Sequence, residues 1–216
     1  MPDPTQLALY FAAAFVLAVM PGPGIFYVAA RTLAGGRAEG MASSLGTGLG
    51  GLVHVLAGSL GVSAIVLASA ELFTALKLVG AAYLVWLGVR TFLSARRDAS
   101  TGLKGGFAAP SVGPQRAFRE GMLVEALNPK TAAFFLAFIP QFVDPNQGPV
   151  ALQFMMLGFV SVTLNTLADI MVAFAASGIR RGAAARPALI RRLREASGAA
   201  MIALGIGLTL ARRPAG

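Results

Sequence analysis

Two of the apolar stretches in this 216-residue chain contain residues that interrupt an α-helix. The first carries Pro21-Gly22-Pro23-Gly24, and the fourth carries Asn128-Pro129-Lys130. A proline lacks the backbone N–H, so the carbonyl four residues earlier loses its helical partner, and in lipid that carbonyl needs another one. Broken helices of this kind line substrate sites near the bilayer midplane in membrane carriers. The interruptions therefore predict a polar site inside a membrane protein.

The composition supports a membrane protein. Hydrophobic residues make up 56% of the chain and charged residues only 12%, which is far too apolar for a soluble domain of this length. The absence of cysteine excludes disulfides, thiolate metal sites and cysteine nucleophiles, and a single histidine cannot build a multi-histidine metal site. The net charge of +9 comes from basic residues at the ends of apolar runs, a topology signal that does not indicate nucleic-acid binding.

Apolar runs of about 20 residues predict the spans. Because none of them alternates with a period of two, we expect helices and an all-α fold. The N-terminal run contains no Lys or Arg before position 20, so we expect it to be a span and not a cleaved signal peptide. The six predicted transmembrane helices cover residues 6–30, 41–68, 72–93, 118–140, 150–176 and 196–211.

The basic residues cluster in alternate loops and predict the orientation. By the positive-inside rule these loops are cytoplasmic and the N-terminus is outside. Arg212 and Arg213 disagree weakly, and a re-entrant last segment would place the C-terminus inside. The cytoplasmic basic residues are Arg31, Arg37, Arg90, Arg96, Arg97, Lys104, Arg116, Arg119, Arg180, Arg181, Arg186, Arg191, Arg192 and Arg194.

The chain divides into two sets of three helices. We predict a first repeat over residues 1–94, a cytoplasmic linker over 95–116 and a second repeat over 117–216. Three is an odd number, so the second repeat enters the membrane inverted. At 1.5 Å per residue, the breaks in helices 1 and 4 lie about 15 and 14 Å from the basic end. This shared depth predicts a 3+3 inverted repeat with a site between the two breaks.

Motifs along nearly the whole chain resemble the LysE/RhtB family of amino-acid exporters. The resemblance implies export of a small amino acid or derivative across the bacterial inner membrane by proton antiport, with no cofactor and no enzymatic activity. Its expected partners are the zwitterionic substrate, protons and membrane lipids, with a homo-oligomer as a further option. The matching residues are Pro21-Gly22-Pro23-Gly24, Gly46-x-Gly48, Gly61, Gly80-Ala81-Ala82-Tyr83-Leu84-x-x-Leu87-Gly88, Asn128-Pro129-Lys130, Phe134-Phe135 and Pro140-Gln141-Phe142.

The first break offers two kinds of partner to a zwitterion. Pro21 frees the carbonyl of Leu17 and Pro23 frees that of Val19, whereas the amides after the break, from Gly22 and Gly24 onward, can face an anion. We therefore predict substrate binding at this break. The structural alternative is a kink that neighbouring helices and water repair.

The second break adds a charge. Pro129 frees the carbonyl of Glu125, and Lys130 places an ammonium deep in the membrane, where it could receive the substrate carboxylate. It could equally form a structural ion pair with Glu125 or Asp169. Asn128 is expected to cap the second half-helix.

Asp169 is the preferred proton-coupling residue, and it could also bind the substrate ammonium. It lies about 16 Å from the basic end by helical rise, with Asn165 on the same face. A permanent salt bridge to Lys130 is the alternative. Glu125 is shallower, where water could reach it, and could act as a cytoplasmic gate. His54 could relay protons, but a hydrogen-bonded packing role is favoured.

The glycines of 46–51 formally match a dinucleotide-binding fingerprint. We reject that function because the motif requires a preceding strand, and these glycines lie within a predicted membrane helix. Close packing, expected against the first broken helix, explains them. Two other functions remain as alternatives, namely a divalent-cation carrier and a non-transporting scaffold. The first would need more inward carboxylates or imidazoles, and an intramembrane enzyme would need a nucleophile and base that the chain does not display.

Overall fold

A computed structural model describes residues 4–68, 70–100, 110–179 and 187–210, and this part of the chain is entirely helices and connecting turns. A π-helical turn at Phe134–Phe138 and a 3-10 turn at Ile139–Phe142 follow the sixth helix, and a second 3-10 turn lies at Pro145–Gln147. The α-helices are α1 (Pro4–Val19), α2 (Pro23–Gly35), α3 (Arg37–Ala68), α4 (Ala70–Ser100), α5 (Pro114–Ala126), α6 (Pro129–Ala133), α7 (Val150–Ile179) and α8 (Pro187–Leu210).

The first predicted break is confirmed. α1 ends at Val19, α2 begins at Pro23, and the two axes are bent by 43°. Gly22 caps α2 in an extended conformation (φ −128°, ψ −171°). The bend follows from the two prolines that flank Gly22, since neither can donate a backbone hydrogen bond to α1.

The second break is also confirmed. α5 ends at Ala126, and the Asn128 Oδ1 accepts a 3.0 Å hydrogen bond from the Lys130 backbone N–H at the start of α6. Asn128 is therefore the N-cap that the sequence predicted. The chain continues through the π-helical and 3-10 turns, so that residues 114–142 form one apolar stretch of 29 residues.

Within the described residues, four stretches are long and apolar enough to cross a membrane, and the bent α1–α2 pair makes a fifth. The sixth predicted span contains only a short apolar part, Gly198–Gly207, inside the longer α8. The predicted span limit at 93 coincides with the end of the apolar stretch Thr74–Leu93, although α4 itself continues to Ser100. The last helix likewise extends beyond the predicted span, since α8 begins at Pro187 and not at 196. Arg, Lys and Glu are good helix formers, so a helix can continue past the end of its apolar segment. A prediction based on apolarity alone therefore gives helices that are too short where the chain leaves the lipid.

Glycines bring the long helices into close contact. A Cβ on Gly46 would lie 2.1 Å from the Phe118 carbonyl oxygen of α5, and a Cβ on Gly88 would lie 2.6 Å from the Gly198 carbonyl oxygen of α8. Gly51 instead faces Val162 of α7. The 46–51 glycines thus serve helix packing, as predicted, but their partners are α5 and α7 and not the first broken helix. α5 takes that place because it runs alongside α3.

The outer surface of the bundle is apolar. Large apolar side chains such as Leu60 and Val79 are 74% and 68% exposed, as expected for a surface that faces lipid. The interior combines an apolar core, which includes Tyr10, Phe134 and Phe154, with a set of buried polar groups. Its buried polar and charged residues are Thr32, Glu39, Ser43, Ser44, Thr47, Ser59, Glu125, Asn128, Lys130, Thr131, Ser161 and Asp169.

The packing partners are compatible with a two-fold arrangement. α3 packs against α7, the middle helices of the two predicted repeats, and α4 packs against α8, the last helices of each. The 3+3 inverted repeat and the boundaries at 94 and 117 stay predictions.

Candidate functional site

Lys130 joins the two breaks. Its side chain is only 4% exposed, and its ammonium donates hydrogen bonds to the carbonyls of Leu17 (3.2 Å) and Met20 (3.1 Å) at the end of α1. The Leu17 carbonyl is the one that Pro21 was predicted to free. Among the described residues, no carboxylate oxygen lies within the 4.0 Å of an ion pair with Lys130. The ammonium of the second break therefore binds peptide carbonyls at the C-terminal end of α1, in the first break.

Two glycines of the first break allow this contact. A Cβ on Gly22 would lie 3.1 Å from both Cε and Nζ of Lys130, and a Cβ on Gly24 would lie 2.8 Å from Oε2 of Glu125. Both distances are shorter than an ordinary van der Waals contact. Gly22 and Gly24 are therefore required by close approach, which explains the Pro-Gly-Pro-Gly alternation.

We expect Gly22→Ala to reduce transport about tenfold while the protein still folds, because over-packing of this size costs roughly 1–3 kcal/mol. The Gly22 backbone is extended and accepts alanine, so the effect comes from displacing the Lys130 ammonium. The measurement is solute exchange in proteoliposomes together with thermal unfolding in detergent. Gly61→Ala is the matched control, since a Cβ there meets nothing within 4 Å. Equal rates in the two variants would contradict this role.

Glu125 holds the second break together. Its carboxylate accepts hydrogen bonds from Asn128 Nδ2 (2.9 Å) and Thr131 Oγ1 (2.6 Å), one on each side of Pro129. Glu125 is only 2% exposed, so it is buried in this conformation, and its role as a cytoplasmic gate stays a prediction.

His54 binds the carbonyl of Glu125, which Pro129 was predicted to free. Its Nε2 donates to that oxygen over 2.9 Å, and the Asn128 backbone N–H donates to the same oxygen over 3.0 Å. The imidazole lies 5.7 Å from the Phe135 ring. This geometry supports the favoured packing role of His54 over the proton relay.

His54→Ala should therefore preserve transport. The Glu125 carbonyl keeps the Asn128 N–H as its partner, so the lost hydrogen bond should reduce the unfolding free energy by only about 0.5–1.5 kcal/mol. Thermal unfolding in detergent and exchange in proteoliposomes measure the two quantities. A tenfold loss of exchange by a well-folded variant would instead identify His54 as a relay.

Asp169 and Thr47 form a buried polar pair that is separate from the contacts of Lys130 and Glu125. Asp169 is fully buried on α7, and its Oδ2 lies 2.6 Å from the Thr47 hydroxyl of α3. Oδ1 of Asp169 is buried without a hydrogen-bond partner in the described part of the chain. Thr47 is also 2.9 Å from the Ser44 carbonyl, so two acceptors compete for one hydroxyl proton.

Two cavities lie beside these groups. One has a volume of about 360 Å³ and is lined by both breaks, including Gly22 and Lys130, and by side chains of α4 and α8. The other has a volume of about 20 Å³, enough for one water molecule. Thr47, Glu125 and Asn165 line this smaller cavity, whereas His54 and Asp169 do not.

Two further contacts join distant segments of the chain. The Tyr10 hydroxyl of α1 donates to the Leu157 carbonyl of α7 (2.6 Å), and the centroid of its ring lies 5.2 Å from that of Phe142. Buried Glu39 of α3 accepts hydrogen bonds from the backbone N–H groups of Val112 (3.0 Å) and Gly113 (2.8 Å) ahead of α5. Neither contact was predicted.

Sequence reasoning also missed Thr47 and Thr131 as partners of the buried carboxylates. Thr131 follows Lys130 directly, so its place beside the break was a usable signal. Thr47 gave no signal of its own, because its partner Asp169 is 122 positions away in the sequence.

Comparison with known proteins identifies the family. A model of the LysE type translocator family matches residues 15–212. The chain belongs to the LysE/RhtB family. Members of this family are transporters, so this LysE-family protein is a membrane transporter and not an enzyme.

Relatives extend over nearly the full length of the chain. A membrane protein of Pseudomonas aeruginosa is 32% identical over 96% of this chain and 95% of its own. The homoserine/homoserine lactone efflux protein of Salmonella typhimurium is 29% identical over 94% of this chain and 95% of its own. The leucine efflux protein of an Enterobacter species is 26% identical over 76% of this chain and 75% of its own. No solved structure matches the chain.

Proposed function

We propose that this translocator exports a small zwitterionic amino acid or amino-acid derivative from the cytoplasm in exchange for protons. One observation carries the proposal. A buried ammonium from the second break binds the carbonyls of the first, beside a cavity of about 360 Å³ that both breaks line. The efflux relatives act on homoserine, homoserine lactone and leucine by name, which agrees with a substrate of this size.

A zwitterion can replace the bonds that Lys130 makes to the end of α1. The substrate carboxylate binds the Lys130 ammonium and the first amides of α2, and the substrate ammonium takes the carbonyls of Leu17 and Met20. The Lys130 ammonium and both carbonyls then keep hydrogen-bond partners, so binding avoids the cost of leaving them unsatisfied. Pro21, Gly22, Pro23, Gly24, Asn128, Pro129 and Lys130 are the proposed substrate-binding residues.

The buried charges favour a bound proton. Glu125 and Asp169 are the two carboxylates that interact electrostatically with Lys130, so the ionised set carries one excess negative charge. An excess charge in a low-dielectric interior is costly, and one proton on a carboxylate removes it. We assign this proton to Asp169, because its carboxylate has only Thr47 as a hydrogen-bond partner among the described residues, whereas the carboxylate of Glu125 accepts two hydrogen bonds.

Thr47 links the protonation of Asp169 to the rest of the site. Protonated Asp169 donates to the Thr47 oxygen, and the Thr47 hydroxyl then donates to the Ser44 carbonyl. Ionised Asp169 instead accepts the Thr47 proton. Since Thr47, Asn165 and Glu125 share the one-water cavity, a water there completes a path from Asp169 to Glu125.

We expect Thr47→Val to slow transport driven by a pH gradient about tenfold, because valine keeps the volume and loses the hydrogen bond to a charged group, worth roughly 1.5–3 kcal/mol. Exchange of substrate without a gradient should change less than threefold. Thr163→Val is the matched control, since that hydroxyl is exposed on α7 and bonds only within its helix. Equal slowing of both transport modes would contradict a proton-path role for Thr47.

Alternating access would come from rocking one repeat against the other. In this cycle, the hydrogen bond from Tyr10 to Leu157 and those from the segment before α5 to Glu39 would break and re-form in turn. We place the protein in the bacterial inner membrane with its basic loops in the cytoplasm and its N-terminus outside.

Counterflow in proteoliposomes tests the proposal. The purified protein should exchange labelled amino acids across the vesicle membrane. Pro21→Ala should abolish exchange, because the backbone N–H restored at position 21 competes with the Lys130 ammonium for the Leu17 carbonyl. Failure to exchange any amino acid, with a folded protein confirmed by circular dichroism, would overturn the proposal and favour a scaffold.

A further inference from the structure

The cavity between the breaks has two chemically different walls. Lys130 and the broken backbone form one wall, and Phe26, Leu87, Thr91 and Met201 contribute to the other. Among the described residues that line it, Lys130 carries the only formal charge. The volume of about 360 Å³ lies at the small end of ligand pockets, which range from roughly 300 to 1,000 Å³.

The polar side chains of this cavity already have partners. Asn128 accepts from the Lys130 N–H and donates to Glu125, and the Thr91 hydroxyl donates to the Leu87 carbonyl within α4 over 2.8 Å. The Lys130 ammonium uses two of its three N–H donors on carbonyls in the described structure, so one remains for a carboxylate.

From this arrangement, which rests on the proposed export function, we infer that the substrate is a neutral amino acid with an aliphatic or thioether side chain, such as leucine or methionine. Its carboxylate binds Lys130, and its side chain packs against Leu87 and Met201. A basic side chain would be repelled by Lys130 and would meet no carboxylate among the described residues of the lining. An acidic side chain would find no second cation in that same described part of the lining.

The wall opposite the breaks is rigid enough to select by size. α4 and α8 touch through Gly88 and Gly198, so Leu87 and Met201 project from two helices whose backbones are in contact. The size of the side chain at position 87 should therefore determine which neutral amino acids fit the cavity. One methylene more or fewer in an apolar pocket changes specificity about 10- to 200-fold.

The experiment is counterflow with a panel of labelled amino acids. Leucine and methionine should exchange at least about 100-fold faster than lysine, arginine and glutamate, because an unpaired buried charge is strongly disfavoured. Exchange of a charged amino acid at the leucine rate would overturn this assignment and leave export in place. Exchange of no amino acid would overturn both the assignment and the proposed function.

Substitutions at Leu87 test the wall directly. Leu87→Phe should shift the preference from leucine toward alanine by at least about tenfold, and Leu87→Ala should admit phenylalanine. The control is Leu78→Phe, which makes the same change on an exposed position of α4 and should leave the preference unchanged. An unchanged preference in both Leu87 variants, each folded, would overturn the assignment.

Discussion

Asp169→Asn is expected to abolish transport driven by a pH gradient while leaving exchange of labelled substrate near the wild-type rate. The amide keeps the shape of the carboxylate and can still bond to Thr47, but it cannot take up and release a proton. Asp169 is fully buried, and it does not line the cavity between the breaks. Its loss should therefore uncouple transport without removing the substrate site.

The size of this effect follows from the charge balance of the interior. With Asp169 neutral in every step, Glu125 and Lys130 compensate each other throughout the cycle, and no step is linked to a proton. Gradient-driven accumulation should fall at least about 100-fold. The reason is that forcing a buried group into an unfavourable charge state costs several kcal/mol, so no other residue can easily replace Asp169 as the proton carrier.

Asp144→Asn is the matched control for this prediction, because Asp144 lies in the connection before α7 and bonds to Asn146 and Gln147 there. Both transport modes should be unchanged in it. Loss of exchange as well as accumulation in a folded Asp169→Asn protein would instead identify Asp169 as a ligand of the substrate ammonium.

Lys130→Met is expected to abolish every mode of transport and to destabilise the protein. Methionine fills most of the volume but donates nothing, so the carbonyls of Leu17 and Met20 both lose the ammonium as a donor, and Leu17 keeps the 3.3 Å hydrogen bond from the Met20 N–H. Glu125 and Asp169 also lose their neutralising charge. Together these losses should lower the unfolding free energy by about 3–5 kcal/mol.

The measurements are thermal unfolding in detergent and counterflow of leucine. Lys77→Met is the control, because Lys77 lies half-buried on α4 and belongs to neither break. It should change stability by no more than about 1 kcal/mol. If Lys130→Met exchanged substrate at the wild-type rate, Lys130 would be neither the carboxylate ligand nor the structural link between the breaks.

The position of the breaks was predictable because it depends on local chemistry. Proline and glycine act on their own segment of backbone, so Pro21, Gly22 and Asn128 showed in the sequence where the helices end. The N-cap at Asn128 and the freed carbonyls of Leu17 and Glu125 follow from the same local geometry.

The partners of these groups were not predictable, because they are set by tertiary packing. The sequence allowed either a substrate or a buried carboxylate as the partner of Lys130. In the structure its ammonium instead donates hydrogen bonds to the carbonyls of Leu17 and Met20 in the other break. Thr47 meets Asp169 only because glycines such as Gly48 and Gly51 let α3 approach α7. Side chains such as Leu87 and Met201 gave no pattern that would distinguish a cavity wall from a lipid-facing surface.

The central claim is that the substrate lies in the cavity between the two broken helices, and a single cysteine tests it most directly. The chain contains no cysteine, so Thr91→Cys introduces one thiol on the wall opposite Lys130. A small thiol reagent should label this residue, and saturating transported amino acid should slow the labelling at least threefold. Leu78→Cys, on the exposed surface of α4, should show no such protection. Labelling of Thr91→Cys at one rate with and without every exchanged amino acid would contradict the claim.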